Sequence, residues 1–139
     1  MADPFGLGRL VEAQAPLYDE VRRELKAGRK RSHWMWFVFP QIAGLGQSPM
    51  SIRFAIASLD EAKAYLAHSV LGARLRECAR LTLAVEGKIA RQIFGSIDEM
   101  KFRSSMTLFA RAAPDESLFQ RCVDKYFAGG SDPATLAKL

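Results

Sequence analysis

The chain has few of the residues from which metal sites and disulfides are built, with two cysteines and two histidines among its 139 residues. Cys78 and Cys122 form no CxxC pair and lie in separate helical patterns, which predicts buried free thiols in a reducing compartment. The histidines and cysteines have no spacing that suits zinc. We therefore expect neither a disulfide nor a metal centre.

Long apolar runs are also absent. The longest uninterrupted one, residues 34–39, ends at Pro40 and is far shorter than the roughly 20 residues of a membrane helix. The N-terminal stretch MADPFGLGRL has an early acid and lacks the basic-then-apolar order of a signal peptide. These absences predict a cytoplasmic protein with no membrane partner.

Nucleotide-binding and catalytic motifs are missing too. Gly6-x-Gly8 and Gly44-x-Gly46 begin like a dinucleotide loop, but each lacks the third glycine and neither follows a predicted strand. The chain has no GxxxxGK phosphate loop, no GxSxG nucleophile elbow and no HExxH zinc motif. We expect no cofactor, and the sequence leaves open whether the protein is an enzyme.

The overall composition is typical of one globular domain. Apolar residues make up 49% and charged residues 25% of the chain, whose 139 residues suffice for one hydrophobic core. No segment alternates polar and apolar residues as a half-buried strand would, and no hairpin signal occurs. Residues 1–139 are therefore predicted to form a single domain.

Cap residues and prolines divide the chain into short helices. The cap-then-proline pairs are Asp3-Pro4, Ser48-Pro49 and Asp132-Pro133, and the capping boxes are Ser58 with Glu61 and Ser96 with Glu99. The longest amphipathic pattern runs from about Val70 to Val85, and Gly6 and Gly8 should fray the first helix. Together these signals predict an all-α, single compact domain of about seven short helices.

The segment KRSHWMWFVFPQ, residues 30–41, contains both tryptophans, two phenylalanines and one of the histidines. Ser32 as an N-cap favours a short helix here, although the aromatic and β-branched content also permits an extended strand. In a helix, His33 and Trp36 share one face and Trp34 lies on another. One face should pack on the core, and the other either packs too or lines a cleft.

An aromatic wall beside cations suits a flat, anionic small molecule such as a nucleotide. The segment Lys101–Ser105 would add a cation and two hydroxyls for the charge of that ligand. The residues predicted to bind it are Lys30, His33, Trp34, Trp36, Gln41, Lys101, Ser104 and Ser105. His33 and Glu86 are the only candidates for proton transfer. The alternative is that both tryptophans are core anchors and that Lys101 is solvated.

A second hypothesis rests on charge. The chain carries 20 Lys and Arg against 15 Asp and Glu, a net charge of +5, and six of the cations fall within residues 22–31. The block Arg22–Arg31 predicts a non-catalytic module that binds nucleic acid or an acidic protein, although a solvated helix end explains it more simply. A third hypothesis, a helix-packing interaction protein with exposed aromatics, predicts a dimer. The oligomeric state stays open.

Four stretches of the chain resemble one bacterial family. They are DPFGLGRLVEAQAPLYDEVRRELKAGRKRSHWMWFVFPQIAGLG, SLDEAKAYLAHSVLGARLRECARLTLAVEG, IFGSIDEMKFRSSMTLF and the closing PATLAKL. Together they cover nearly the whole chain and resemble the domain of unknown function 1810 family, although Gly6 and Gly8 replace the more polar helix start expected there. The resemblance implies a small, single-domain, all-helical cytoplasmic protein, and it brings no activity, cofactor or catalytic residue.

Overall fold

The computed structural model describes residues 3–139; Met1 and Ala2, which open the stretch compared above with a signal peptide, lie outside it. Within this range the chain forms ten helices and no sheet. They are α1 (Gly8–Gln14), α2 (Tyr18–Lys26), α3 (Met35–Val38), α4 (Pro49–Phe54), α5 (Leu59–Ala67), α6 (Leu71–Leu83), α7 (Ala90–Phe94), α8 (Asp98–Ala112), α9 (Ser117–Phe127) and α10 (Pro133–Leu136). The fold is therefore all-α, as predicted; six of the ten helices have at least seven residues, and the other four have four to six.

Helix α8 lies at the centre of the fold and is the longest of the described helices, with 15 residues. Helices α5, α7, α9 and α10 all pack against it. Its residue Phe102 joins an aromatic cluster, since its ring centroid lies 5.0 Å from that of Phe39 and 4.7 Å from that of Phe94. Aromatic pairs at such distances stabilise a core beyond the area they bury.

The amphipathic pattern predicts that α6 is the longest helix, but its 13 residues make it shorter than α8. Its end tightens into a turn in which the N–H of Val85 bonds to the carbonyl of Thr82 at 3.2 Å. Helix α6 contacts α2, α5 and α9. Leu75 on α6 is 1% exposed and Phe119 on α9 is fully buried, so both apolar faces point to the core.

Three of the predicted caps are present. Ser48, Ser58 and Asp132 each accept, through a side-chain oxygen, the N–H of the residue three positions on, at 3.1–3.2 Å. The predicted cap at Ser96 is wrong, because α8 begins at Asp98 and no side chain caps it. The carboxylate of Glu99 instead bonds to the guanidinium of Arg91 at 3.0 Å.

Helix α1 begins later than its Asp3-Pro4 signal predicts. The carboxylate of Asp3 accepts the N–H groups of Leu7 and Gly8 at 2.8 and 2.9 Å. The helix nevertheless starts only at Gly8, since Gly6 has a φ of 65°, which a right-handed helix does not allow.

Two expectations drawn from absent features concern the thiols and the membrane. Cys78 and Cys122 are free and buried, as their places in apolar stripes predict. Within residues 3–139, none of the helices combines the length and the apolar character that crossing a bilayer demands.

Candidate functional site

The segment that precedes α3 is held by Glu24, a carboxylate near the end of α2 that is only 5% exposed. One of its oxygens accepts the N–H of Arg31 at 2.7 Å, the N–H of Ser32 at 2.9 Å and the indole N–H of Trp34 at 3.0 Å. The other accepts the Ser32 hydroxyl at 2.6 Å, so Ser32 is not the cap of α3 that its position predicts. Burial alone would raise the pKa of Glu24, but these hydrogen bonds outweigh burial and lower that pKa to about 2.

Lys30 joins the same segment to α7 and α8. Its backbone N–H bonds to the carbonyl of Ile93 at 2.8 Å. Its ammonium lies 2.9 Å from the Asp98 carboxylate, 2.5 Å from the Ser32 carbonyl oxygen and 5.1 Å from the centroid of the Trp34 ring. Because only 8% of its side chain is exposed, Lys30 connects these elements and is not a solvated cation at the rim of a site.

A sharp corner connects α7 to α8. Gly95 forms it with a φ of 87°, a conformation that residues with a Cβ rarely adopt. The corner places Asp98 in the first turn of α8, where the helix dipole favours a carboxylate. There Asp98 lies between two lysines, at 2.9 Å from Lys30 and 3.1 Å from Lys101.

A cleft of about 390 Å³ lies between the α3 segment and this corner. Its lining residues are Lys30, His33, Met35, Trp36, Phe94, Gly95, Ser96, Ile97, Asp98 and Lys101. Four of the residues predicted to bind a ligand, namely Lys30, His33, Trp36 and Lys101, therefore share one cleft. The ammonium of Lys101 lies 5.1 Å from the centroid of the Trp36 ring, although 65 positions separate the two residues in the sequence. We call this feature the Trp36 cleft.

The two tryptophans differ in their surroundings. Trp34 is fully buried, and Glu24 accepts its indole N–H, so it is a core anchor that does not line the cleft. Phe37 and Val38 are buried as well. Trp36 is only partly buried and lines the Trp36 cleft. Within α3, Phe37 and Val38 thus pack in the core and Trp36 lines the cleft, whereas Trp34 precedes the helix.

The other predicted binding residues lie elsewhere. Gln41 accepts the N–H of Ile56 through its backbone carbonyl at 2.8 Å and does not line the cleft. The hydroxyl of Ser104 is buried and bonds to the Asp132 carboxylate at 2.9 Å, so it holds the C-terminal helix α10. Ser105 is also buried, and its hydroxyl has no hydrogen-bond partner among residues 3–139. The Lys101–Ser105 segment therefore contributes its lysine to the cleft and not its serines.

The candidates for proton transfer are separated in the same way. Glu86 is exposed in the turn after α6 and does not line the cleft, whereas His33 does. Asp98 is the carboxylate that lines the cleft, and both of its oxygens are engaged by lysines. In the part of the chain that the structure describes, no cluster of three His, Cys, Asp or Glu side chains could hold a metal ion.

Three of the six cations of the basic block are held in ion pairs. Arg22 pairs with Glu77 at 3.2 Å, Arg23 pairs with Glu20, and Lys30 pairs with Asp98. The remaining three, Lys26, Arg29 and Arg31, are exposed and take part in no ion pair of the described range. Lys30 is the one member of the block that lines the Trp36 cleft.

Sequence reasoning missed two carboxylates that organise this region. Glu24 is the one acid within the basic block, and an acid placed so among cations could have indicated a buried anchor. Asp98 precedes Lys101 by three positions on a predicted helix, which is the spacing of an ion pair. Neither signal reveals Lys30 as the second partner of Asp98, because that contact depends on the tertiary fold.

Comparisons with known proteins agree with this architecture. The chain is similar to the conserved hypothetical protein Rv1873 from Mycobacterium tuberculosis, whose crystal structure matches with a TM-score of 0.97 and 55% sequence identity over 99% of this chain and 98% of that one. A search of curated proteins finds no match. The family model described as "protein of unknown function (DUF1810)" matches residues 4–139. Because that match spans nearly the whole chain, the protein belongs to the DUF1810 family.

Proposed function

We propose that the protein binds a small anionic ligand with a flat ring, of the nucleotide type, in the Trp36 cleft. The observation that carries the proposal is the contact between Trp36 and Lys101, which lines the cleft with an aromatic ring and a cation 5.1 Å apart. A ligand with a ring and a negative charge at a similar spacing would engage both.

The charge of the cleft supports an anion. Two lysines and one aspartate line it, so these three side chains leave an excess of one positive charge. The Lys30 ammonium already has two oxygen partners, the Ser32 carbonyl and Asp98. The Lys101 ammonium bonds to Asp98 alone within the described residues, and an ammonium has three donors. Lys101 therefore has the donor capacity that an incoming anion requires.

The shape of the cleft supports a ring. Ile97, which is 73% exposed, adds apolar surface beside Trp36, and the buried side chains of Met35 and Phe94 also line the cleft. A planar ligand placed over Trp36 would cover this surface and gain roughly 1–3 kcal/mol from stacking on the indole. The proposal concerns binding and not turnover.

Ligand binding is best tested by a thermal-shift screen against nucleotides, nucleosides and aromatic carboxylates. A ligand at 100 times its dissociation constant should add about 2.7 kcal/mol to the stability of the protein. The same ligand should quench the fluorescence of Trp36, whereas the buried Trp34 should respond little. A Trp36→Leu variant should then lose the quenching.

Lys101→Met supplies the decisive variant, because it removes the cation while keeping most of the side-chain length. We expect binding of the anionic hit to weaken by at least about tenfold, as loss of a charge-assisted hydrogen bond predicts. Lys63→Met, the same change at an exposed residue of α5 outside the cleft, is the matched control. Equal affinity of the two variants for the hit, or no hit in the whole panel, would refute the proposal.

A further inference from the structure

The outward side of α6 forms a trough between α2 and α9. This trough has no lining residue in common with the Trp36 cleft. Glu77, Arg80, Leu81 and Ala84 form one stripe along α6, as their spacing of three and four requires. Three adjoining depressions of about 380–390 Å³ lie along this stripe. The middle one shares Glu77 and Leu81 with the first and Arg80 and Ala84 with the third, so that they continue into one another. We call the combined feature the α6 trough.

The walls of the trough come from the two neighbouring helices. Helix α2 contributes Asp19, Arg22, Arg23 and Lys26, which lie on one of its faces. Helix α9 contributes Leu118 and Arg121. Cations therefore stand on both walls, and the floor between them carries the apolar side chains of Leu81 and Ala84.

Charge in the α6 trough is strongly unbalanced. Five cations line it against two carboxylates, Asp19 and Glu77. Arg22 is paired with Glu77, but none of the ion pairs within residues 3–139 involves Lys26, Arg80 or Arg121. These three are exposed, and each belongs to a different helix of the trough. The surface is thus complementary to a negatively charged occupant along its whole length.

We propose that the α6 trough is a docking surface for an acidic amphipathic helix of a partner protein. Apolar residues recurring every three or four positions on such a helix would meet Leu81 and Ala84 on the floor. Acidic residues on its flanks would meet the cations of both walls. This is the helix-in-groove mode of recognition, with charge fixing the orientation.

Other occupants fit the trough less well. No aromatic side chain lines it, so it lacks the stacking platform on which single-stranded nucleic acid binds. A phosphate backbone would also leave the apolar floor uncovered. A second copy of the chain, placed with the same face inward, would set like charges against each other, which disfavours a symmetric dimer.

The test measures binding of a fluorescein-labelled, stapled peptide of about 14 residues, long enough for about four helical turns. Leucines recur on one face of this probe, and glutamates occupy the flanks. A peptide of the same composition with its leucines spread around all faces is the first control, and a single-stranded RNA of about 15 nucleotides represents the rival ligand. Fluorescence anisotropy reports each affinity at moderate salt.

We expect the double variant in which glutamate replaces both Arg80 and Arg121 to bind the amphipathic peptide at least about tenfold more weakly. Leu81→Gln should weaken this binding as well, and thermal melting shows whether that variant remains folded. Arg111→Glu, a single charge reversal at an exposed residue of α8, should alter the affinity by less than about twofold.

Four results would overturn the proposal. The first is no binding of the amphipathic peptide, and the second is equal binding of the scrambled one. The third is an equal loss in Arg111→Glu, which would indicate general electrostatic attraction. The fourth is tighter binding of the RNA than of the amphipathic peptide, together with loss of RNA binding when Arg80 and Arg121 are reversed. This result would assign the trough to nucleic acid.

Discussion

Replacing Glu24 by glutamine removes the charge on which the segment before α3 is built. The carboxylate is 5% exposed and accepts four hydrogen bonds, from two backbone N–H groups, one hydroxyl and one indole. A pKa lowered from 4.5 to about 2 corresponds to about 3 kcal/mol of preferential stabilisation of the charged form in the folded state. We therefore expect Glu24→Gln to lower the free energy of unfolding by about 3 kcal/mol at pH 7.

The pH dependence has a definite sign. Because the pKa of Glu24 is lower in the folded state than in the unfolded one, its contribution is fully present above about pH 4.5 and is lost as the pH falls toward about 2. The difference between the wild type and Glu24→Gln should therefore be constant from pH 7 to pH 5. At pH 3 it should have fallen to roughly half.

Urea unfolding followed by far-UV circular dichroism measures this difference at each pH. Glu12→Gln is the matched control, since Glu12 is exposed on α1 and forms no ion pair among residues 3–139. A loss below about 0.5 kcal/mol for Glu24→Gln at pH 7 would contradict the anchoring role, because surface substitutions alone reach that value. So would a difference that does not change between pH 7 and pH 3.

Two further predictions concern the core. Leu75→Ala and Phe119→Ala should each lower the free energy of unfolding by roughly 2–5 kcal/mol, since both side chains fill the interior. Losses below about 0.5 kcal/mol for both would mean that the two helices do not bury these faces. The thiols of Cys78 and Cys122 should react with Ellman's reagent only after unfolding, because burial raises the pKa of each to about 12. Rapid stoichiometric labelling of the native protein would contradict this.

Helix starts could be predicted wherever the cap is a local interaction. Ser48, Ser58 and Asp132 bond to an N–H three residues away, so the whole interaction is contained in a short stretch of sequence. Ser32 and Glu99 carry the same local signal, but their side chains bond to Glu24 and Arg91, eight residues away. A distant partner that offers a better bond overrides the local pattern, and nothing near the cap residue reveals it.

The sequence predicts the different surroundings of the two tryptophans only in part. The expected helical period puts His33 and Trp36 on one side and Trp34 on the other. The structure keeps Trp34 apart from the other two, although His33 and Trp34 precede α3, which begins only at Met35. Which side would be buried could not be derived, because both are aromatic. The choice depends on Glu24, whose buried carboxylate accepts the indole N–H of Trp34 and so stabilises that ring in the core.

The sequence by itself determined the all-helical class, most helix starts and the apolar faces of α6 and α9, since each follows from spacing within one stretch of chain. Only the tertiary structure decided that Lys101 reaches Trp36, that Asp98 pairs with Lys30, and that Ser104 bonds to Asp132 at the start of the C-terminal helix. These contacts link residues far apart in the chain. Their formation depends on the packing of α3, α7 and α10 against α8, and on a corner at Gly95 that connects α7 to α8, so no local pattern encodes them.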